Sequence, residues 1–269
     1  MTTSERNQEL GKPRWNYDYQ CYKDTDNVFL ERGLYSIIVL AHGRPDVTKR
    51  SVLSTLDCVR GYSGEIEWIF IENGNDKSNL DFFDSLDLER KVVVRQKNYG
   101  INEGLNQGWA ISRGEFVMIH ENDWNASCSV DFLSIANDIF TEREDVGIIQ
   151  LRDPFDPNEN HGFGKPEYNP WSCSRDHVER SGFKLWKEKT SCGHEYDLAK
   201  YPNGFNNNPV LIRKTLYYAC GPYPEPIIGS DPRHGETEYQ ERVARTKCSI
   251  AYIGLPIYRH AGRVQTQGV

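Results

Sequence analysis

In the first 150 residues, short apolar runs alternate with stretches whose apolar residues recur at helical spacing. Ser36-Ile-Ile-Val-Leu-Ala41 reads as a buried strand, followed by a helix from Val47 to Val59. Glu65-Ile-Glu-Trp-Ile-Phe-Ile71 is a second strand, Leu80 to Leu88 a short helix, and Lys91-Val-Val-Val-Arg95 a third strand. Ile101 to Ser112 is helical with Ile101, Leu105 and Trp109 on one face. Its Gly104 and Gly108 allow close approach to the sheet or to a ligand. Glu115 to Ile119 is a fourth strand. Strands alternating with helices imply an α/β chain, doubly wound around a largely parallel sheet.

The second half has a different character. Asp145 to Leu151 resembles one more strand, but residues 152–208 are rich in Pro, Gly, Asn, Trp and His, and their periodicity is weak. So long an irregular stretch in a compact domain is usually functional. Val210 to Arg213 restores a strand and Lys214 to Ala219 a short helix. Gly221-Pro-Tyr-Pro-Glu-Pro226 is a turn, Glu236 to Lys247 a helix and Ile250 to Ile253 a strand. The chain closes near Tyr258-Arg-His260-Ala-Gly262, and residues 1–32 read as a polar extension.

In a sheet of this kind ligands lie beyond the carboxyl ends of the strands. Polar, mostly Gly-containing turns stand at those ends: Ala41-His-Gly-Arg-Pro-Asp46, Glu72-Asn-Gly-Asn75, Gln96-Lys-Asn-Tyr-Gly100 and His120-Glu-Asn-Asp123. The last is the most telling, because a buried strand stops there in two carboxylates and an amide, groups costly to bury without a partner. Carboxylates so placed suit a hard cation, and a cation there can hold a phosphate.

Composition narrows the classes. The 269 residues are 38% hydrophobic and 12% aromatic, which describes a globular chain with one good core. Mean hydropathy is −0.69, and the longest apolar run, Tyr35 to Ala41, suits a strand rather than a membrane span. The polar first residues have no signal-peptide core. A net charge of −7 without a basic block argues against general nucleic-acid binding. Seven cysteines, at 21, 58, 128, 173, 192, 220 and 248, form no CxxC pair, which suggests scattered thiols in a reducing cytoplasm. Cys173, His177, Cys192 and His194 could form a zinc set, although their spacing matches no common finger.

Taken in order, Ser36 through Pro45, Asn98-Tyr-Gly-Ile-Asn-Glu-Gly-Leu-Asn-Gln-Gly108, and Arg113-Gly-Glu-Phe-Val-Met-Ile-His-Glu-Asn-Asp123 resemble the family 2 glycosyltransferases and their relatives of the GT-A fold. The resemblance covers roughly residues 34–262, and order and spacing make it more specific than any one motif. It implies a Rossmann-like, doubly wound, mostly parallel sheet with a smaller acceptor-binding subdomain. On that reading residues 33–150 are the nucleotide-sugar-binding half and 151–269 the acceptor-binding half. Asp123 matches the last Asp of the DxD signature, which binds Mn²⁺ or Mg²⁺ bridging the donor diphosphate. Glu121 stands for the first Asp, near the ribose, and Asn122 fills the middle; Glu-Asn-Asp departs from strict DxD. The resemblance puts Glu72 on the nucleoside, Ala41 and His42 where backbone meets base, Arg44 beside them, and Asn98 and Gly104 near ribose and phosphates. Gly235-Glu-Thr-Glu-Tyr-Gln-Glu-Arg242 matches an "EDxEL…R"-like segment, with Glu236 at the general-base position. His260 sits where many relatives carry a metal-ligating His.

The chemistry this implies is coherent. Moving a sugar from a nucleoside diphosphate, of UDP or GDP type, needs charge neutralised on the leaving group and a base at the acceptor hydroxyl. Inversion at the anomeric carbon is implied by the resemblance alone. Plainer readings exist: Glu238–Arg242 and Glu241–Arg245 are i,i+4 pairs of an ordinary solvated helix, and Glu72 could simply cap a turn. The aromatics Tyr168, Trp171, Trp186, Tyr196 and Tyr201 mark the acceptor side as a group. No GxGxxG follows the first strand, which disfavours a dinucleotide oxidoreductase. A nucleotidyltransferase or a non-catalytic nucleotide- or sugar-binding relative is the alternative.

Overall fold

The computed structural model describes residues 30–127, 130–151, 185–200, 207, 209–224, 234–255 and 257–261, without the side chains of 234–237. Its centre is a nine-stranded sheet. The strands are β1 (Glu31–Ala41), β2 (Ile66–Asn73), β3 (Lys91–Gln96), β4 (Gly114–Glu121), β6 (Val146–Gln150), β7 (Leu185–Lys189), β8 (Glu195–Ala199), β9 (Val210–Arg213) and β10 (Ser249–Tyr252). They lie in the order β3-β2-β1-β4-β9-β6-β10-β8-β7. β1 pairs in parallel with both β2 and β4, and β2 with β3; β8 and β9 run against the rest. Two short strands outside this sheet, β5 (Trp124–Ala126) and β11 (Tyr258–His260), form an antiparallel ribbon.

Central parallel strands are covered on both faces, which is why β1 is buried from Leu34 to Ala41 and apolar there apart from Ser36. Ile37, Val39, Phe70 and Met118 point to one face, where α1 (Pro45–Val59), α2 (Lys77–Ser85) and α4 (Phe132–Glu142) add Val52, Phe83, Leu133 and Ile139. Ile38, Leu40, Ile69 and Ile119 point to the other, under α3 (Ile101–Ile111), α5 (Lys214–Cys220) and α6 (His234–Thr246). Pro45 opens α1, where its missing N–H is no loss. Asp76 caps α2 by accepting from Asn79 N–H at 3.0 Å. That cap starts the helix at Lys77, ahead of the apolar residues that suggested Leu80.

The structure departs from the expected elements in instructive places. β1 begins at Glu31, inside the stretch expected to be a polar extension. β2 and β4 run past their apolar stretches, so Glu72, Asn73 and Glu121 are paired strand residues rather than loop. Part of the irregular stretch is an antiparallel hairpin, β7–β8, whose outer strand Leu-Trp-Lys-Glu-Lys is polar because it borders the sheet. Ile101 does not share the buried face of Leu105 and Trp109: it is 52% exposed in the first turn of α3.

Close approach of α3 to β1 explains its glycines. A Cβ on Gly108 would lie 2.5 Å from Ile38 Cγ2 and 3.0 Å from its Cδ1. Ile38 is β-branched and cannot swing aside easily. Gly108→Ala should therefore destabilise by about 1–3 kcal/mol through overpacking, offsetting a helix-propensity gain of about 1 kcal/mol. Urea unfolding of the two proteins measures the difference.

Candidate active site

β4 ends at Glu121 and β5 begins at Trp124, so Asn122 and Asp123 form a tight turn on the carboxyl edge of the sheet. The turn is anchored from several directions. Asn122 N–H donates to Leu40 O at 3.1 Å, and its amide donates to Thr48 Oγ1 at 2.8 Å. Trp124 is buried and its carbonyl faces His120 Nε2 at 3.1 Å. His120 also meets Ser51 Oγ at 3.3 Å and Thr55 Oγ1 at 3.2 Å, and Tyr258 OH donates to Thr55 Oγ1 at 3.1 Å. Burial pushes the His120 imidazole down to about 4, against the hydrogen bond to Trp124 and the charge of Asp123. It is thus a neutral post beneath the ribbon.

The β5–β11 ribbon pairs His260 with Trp124, and this brings His260 to Asp123. His260 Nε2 lies 3.3 Å from Asp123 Oδ2, and the Arg44 guanidinium reaches the same oxygen at 3.1 Å and Asn122 Oδ1 at 3.1 Å. Asp123 O accepts the Ala261 N–H at 2.6 Å. Burial opposes ionisation of Asp123, but His260 and then Arg44 outweigh it, holding the carboxyl below its ordinary range. Its other oxygen, Oδ1, is buried and has no hydrogen-bond partner among the described residues.

The neighbouring turns are knitted into one rim. Asn73 is its hub: its amide donates to Gly100 O at 3.0 Å and Asn98 Oδ1 at 3.3 Å, and its oxygen accepts from Gln96 Nε2 at 2.8 Å and Tyr99 N–H at 3.1 Å. His42 Nδ1 meets Asn73 O at 2.8 Å, and its Nε2 lies 3.4 Å from Asn98 Nδ2. Gly74 packs over that ring, since a Cβ would fall 2.6 Å from His42 Nδ1. Asn73 and Gln96 were not among the expected site residues, because an Asn in Glu-Asn-Gly looks like any turn former.

The expected residues fall into groups. Asp123, Asn122, Arg44 and His260 are in one hydrogen-bonded cluster, with Glu121 half-buried beside it. His42 and Asn98 are exposed on the rim, and Ala41 is buried at the end of β1, paired with Glu72. Glu72 is fully buried: Asn79 Nδ2 donates to one oxygen at 2.7 Å and Asp76 N–H to the other at 3.3 Å. Burial raises its carboxyl despite those bonds. Gly104 packs against the sheet, where a Cβ would meet Leu40 Cδ1 at 2.5 Å. Glu236 belongs to the first turn of α6, and its side chain lies outside the described residues.

Of the zinc set, Cys173 and His177 lie outside the described residues; His194 Nδ1 instead faces Asp138 Oδ2 at 2.9 Å. Tyr168, Trp171 and Tyr201 also lie outside. No group of three or more His, Cys, Asp or Glu gathers among the described residues. Asp123 and His260 nevertheless fit a manganese-like ion, which takes both oxygen and nitrogen ligands. The buried, unpartnered Oδ1 is what a carboxylate built for such a contact would show, and phosphate oxygens and water would complete the set.

The family model for glycosyl transferase family 2 matches residues 36–194, more than half of the chain. The chain belongs to this family. Solved structures agree on its GT-A fold. TarS of S. aureus, residues 1–349, superimposes with a TM-score of 0.56 at 13% identity, over 83% of this chain and 59% of that one. The same TarS residues in complex with UDP-GlcNAc give 0.56 at 12%, over 83% and 57%. The mannosyltransferase PcManGT from Pyrobaculum calidifontis, in complex with GDP-Man and Mn²⁺, gives 0.52 at 13%, over 92% and 62%. This chain spans less than two thirds of the length of each. No curated protein matches its sequence significantly. The turns after β1, β2 and β4 stand on the carboxyl edge of the parallel strands, where ligands of such sheets lie. No helix among the described residues is long and apolar enough to cross a membrane.

Proposed function

We propose that this chain is a metal-dependent glycosyltransferase that moves a sugar from a nucleoside diphosphate donor to an acceptor hydroxyl, with inversion at the anomeric carbon. The observation that carries the reading is Asp123 at the end of β4, held ionised between His260 and Arg44 with one oxygen that has no partner among the described residues. Residues 33–150 bind the donor and 151–269 the acceptor. UDP and GDP sugars are the donor class favoured, consistent with the ligands seen in the structural neighbours TarS and PcManGT.

In this mechanism Asp123 and His260 would hold a Mn²⁺ or Mg²⁺ ion, which when bound would supply Lewis-acid stabilisation of the departing diphosphate. Arg44, half-exposed at the rim, adds a cation for phosphate oxygens. His42 and Asn98 line the approach of the nucleoside, with Glu72 behind them shaping the turn. Glu236 takes the proton from the acceptor hydroxyl as its oxygen bonds the anomeric carbon and the bond to the diphosphate breaks. Glu236→Gln should slow transfer about a hundredfold, at the lower end of general-base effects.

Thermal unfolding with UDP, GDP, CDP and dTDP, each with and without Mn²⁺, tests the donor site. A ligand at a hundred times its dissociation constant stabilises by about 2.7 kcal/mol. A Mn²⁺-dependent rise in Tm with one nucleotide is expected. If none of them moves Tm, the nucleotide-sugar reading falls.

A further inference from the structure

The segment that leaves α5, residues 220–224, is held by side chains from two helices. Asn106 of α3, almost fully buried, donates from Nδ2 to Tyr223 O at 2.9 Å and accepts Tyr223 N–H on Oδ1 at 2.8 Å. Its amide thus pairs with the backbone of residue 223 as a neighbouring strand would. One turn earlier on α3, buried Asn102 donates to Pro224 O at 2.9 Å. From the opposite side comes Arg242 of α6, 6% exposed, whose Nη1 donates to Cys220 O at 3.0 Å and Pro222 O at 2.7 Å. Glu238 orients that guanidinium through Nε at 2.8 Å. The Tyr223 ring stacks on Tyr239 of α6, centroids 4.0 Å apart and planes 14° apart.

The backbone of residues 220–223 is buried, so its N–H and C=O groups need partners, and burying amides and a guanidinium costs free energy unless each is bonded. Asn102, Asn106 and Arg242 each meet that need with a bond to the backbone of residues 220–224, which fixes position as well as contact. What the segment separates is informative. α3 starts directly after Asn98 and Tyr99 on the donor rim, and α6 carries Glu236 in its first turn.

We infer that Asn102, Asn106 and Arg242 are positioning residues, a clamp on residues 220–224 that sets the distance between the donor rim and Glu236. The inference rests on the proposed function and adds to it the part that brings the two halves of the reaction into register. No clamp residue touches the reacting atoms; each acts through the placement of α6.

The test is a double-mutant cycle of Asn106→Leu, which keeps volume and loses both bonds, with Glu236→Gln. The assay follows UDP or GDP release from UDP-glucose, UDP-N-acetylglucosamine and GDP-mannose with water as acceptor. Asn106→Leu should lower kcat about thirtyfold, within the hundredfold that a 1 Å misplacement can cost. Its affinity for UDP or GDP with Mn²⁺ should stay within about twofold, because the donor rim is untouched. Added to Glu236→Gln, it should cost no more than about a further threefold, since both act at one step. Multiplying losses would overturn the clamp, as would unchanged kcat with only a lower Tm, or a loss of nucleotide affinity that accounts for the rate. If Glu236→Gln alone keeps full rate, or no donor is turned over, the base reading fails first and the clamp's role fails with it. Should Asn106→Leu not fold, Asn102→Ala, which loses one bond, runs the same cycle with an expected fivefold effect, about 1 kcal/mol.

Discussion

Asp123→Ala should abolish the Mn²⁺-dependent rise in Tm with nucleotide and reduce sugar transfer by about a thousandfold. Lewis-acid stabilisation of a departing diphosphate is worth several kcal/mol, and about 4 kcal/mol corresponds to that factor. The change removes the one buried carboxylate oxygen at the end of β4 that has no hydrogen-bond partner among the described residues, together with the group that holds His260 and Arg44. The protein should still fold, because the turn is anchored by Asn122, by the β5–β11 ribbon and by the neutral His120 beneath it. Isothermal titration of nucleotide in Mn²⁺ and in EDTA separates the outcomes. The wild type should lose affinity in EDTA, whereas Asp123→Ala should bind equally weakly in both. A variant that kept a metal-dependent affinity would move the metal elsewhere and overturn the assignment of Asp123.

That an apolar strand stops in Glu-Asn-Asp was legible in the sequence, and the structure places that turn on the carboxyl edge of the sheet, where the donor site is proposed. The strand–helix alternation likewise announced a parallel sheet, and β1, β2 and β4 pair in parallel at its centre. Other parts were written in tertiary pairing, which periodicity does not carry. His260 reaches Asp123 only because β11 pairs with β5, far away in the chain; only the resemblance to a family pointed to it. Asn73 and Asn102 read as common polar residues, and Asn106 only as part of a family motif, until their backbone partners are seen. Gly104 was open between sheet and ligand, and its Cβ position faces Leu40 of the sheet. Helix α4 is a different case. It was not among the expected elements, yet Asp131 caps it by accepting from Ser134 N–H, and Phe132, Ile135, Ala136 and Ile139 follow helical spacing. The edge hairpin β7–β8 was obscured by its own function, since a border strand stays polar.

The largest loss of stability without loss of the site should come from Glu67→Ala. Glu67 is 1% exposed at the amino end of the strands, opposite the rim, where it accepts from Ser36 Oγ at 2.7 Å, Arg113 N–H at 2.9 Å and Arg113 Nε at 2.8 Å. Ser36 Oγ in turn accepts Gly114 N–H at 2.8 Å, and Gly114 has no room for a Cβ, which would fall 2.6 Å from Leu34 O. One carboxylate thus ties β1, β2 and the start of β4. Removing it takes the acceptor from the buried Ser36 hydroxyl and the part-buried Arg113 N–H, at about 1–3 kcal/mol each, while the half-exposed Arg113 guanidinium keeps Glu31, and we expect a total near 3 kcal/mol, roughly 6–12 °C in Tm for a chain of this size. Burial by itself would raise the carboxyl, but the Arg113 N–H, the Ser36 hydroxyl and the Arg113 guanidinium hold it below its ordinary range. A lowered folded pKa contributes stability that is complete above the unfolded value, about 4.3, and is lost as pH falls through the folded one. The gap between wild type and Glu67→Ala should therefore be full at pH 7 and narrow below about pH 4. The nucleotide-dependent rise in Tm should survive in this variant, the reverse of Asp123→Ala. Both carboxylates are buried at strand ends beside an arginine, and the difference lies in what they leave open: Glu67 has both oxygens bonded by the protein, while Asp123 Oδ1 has no partner among the described residues.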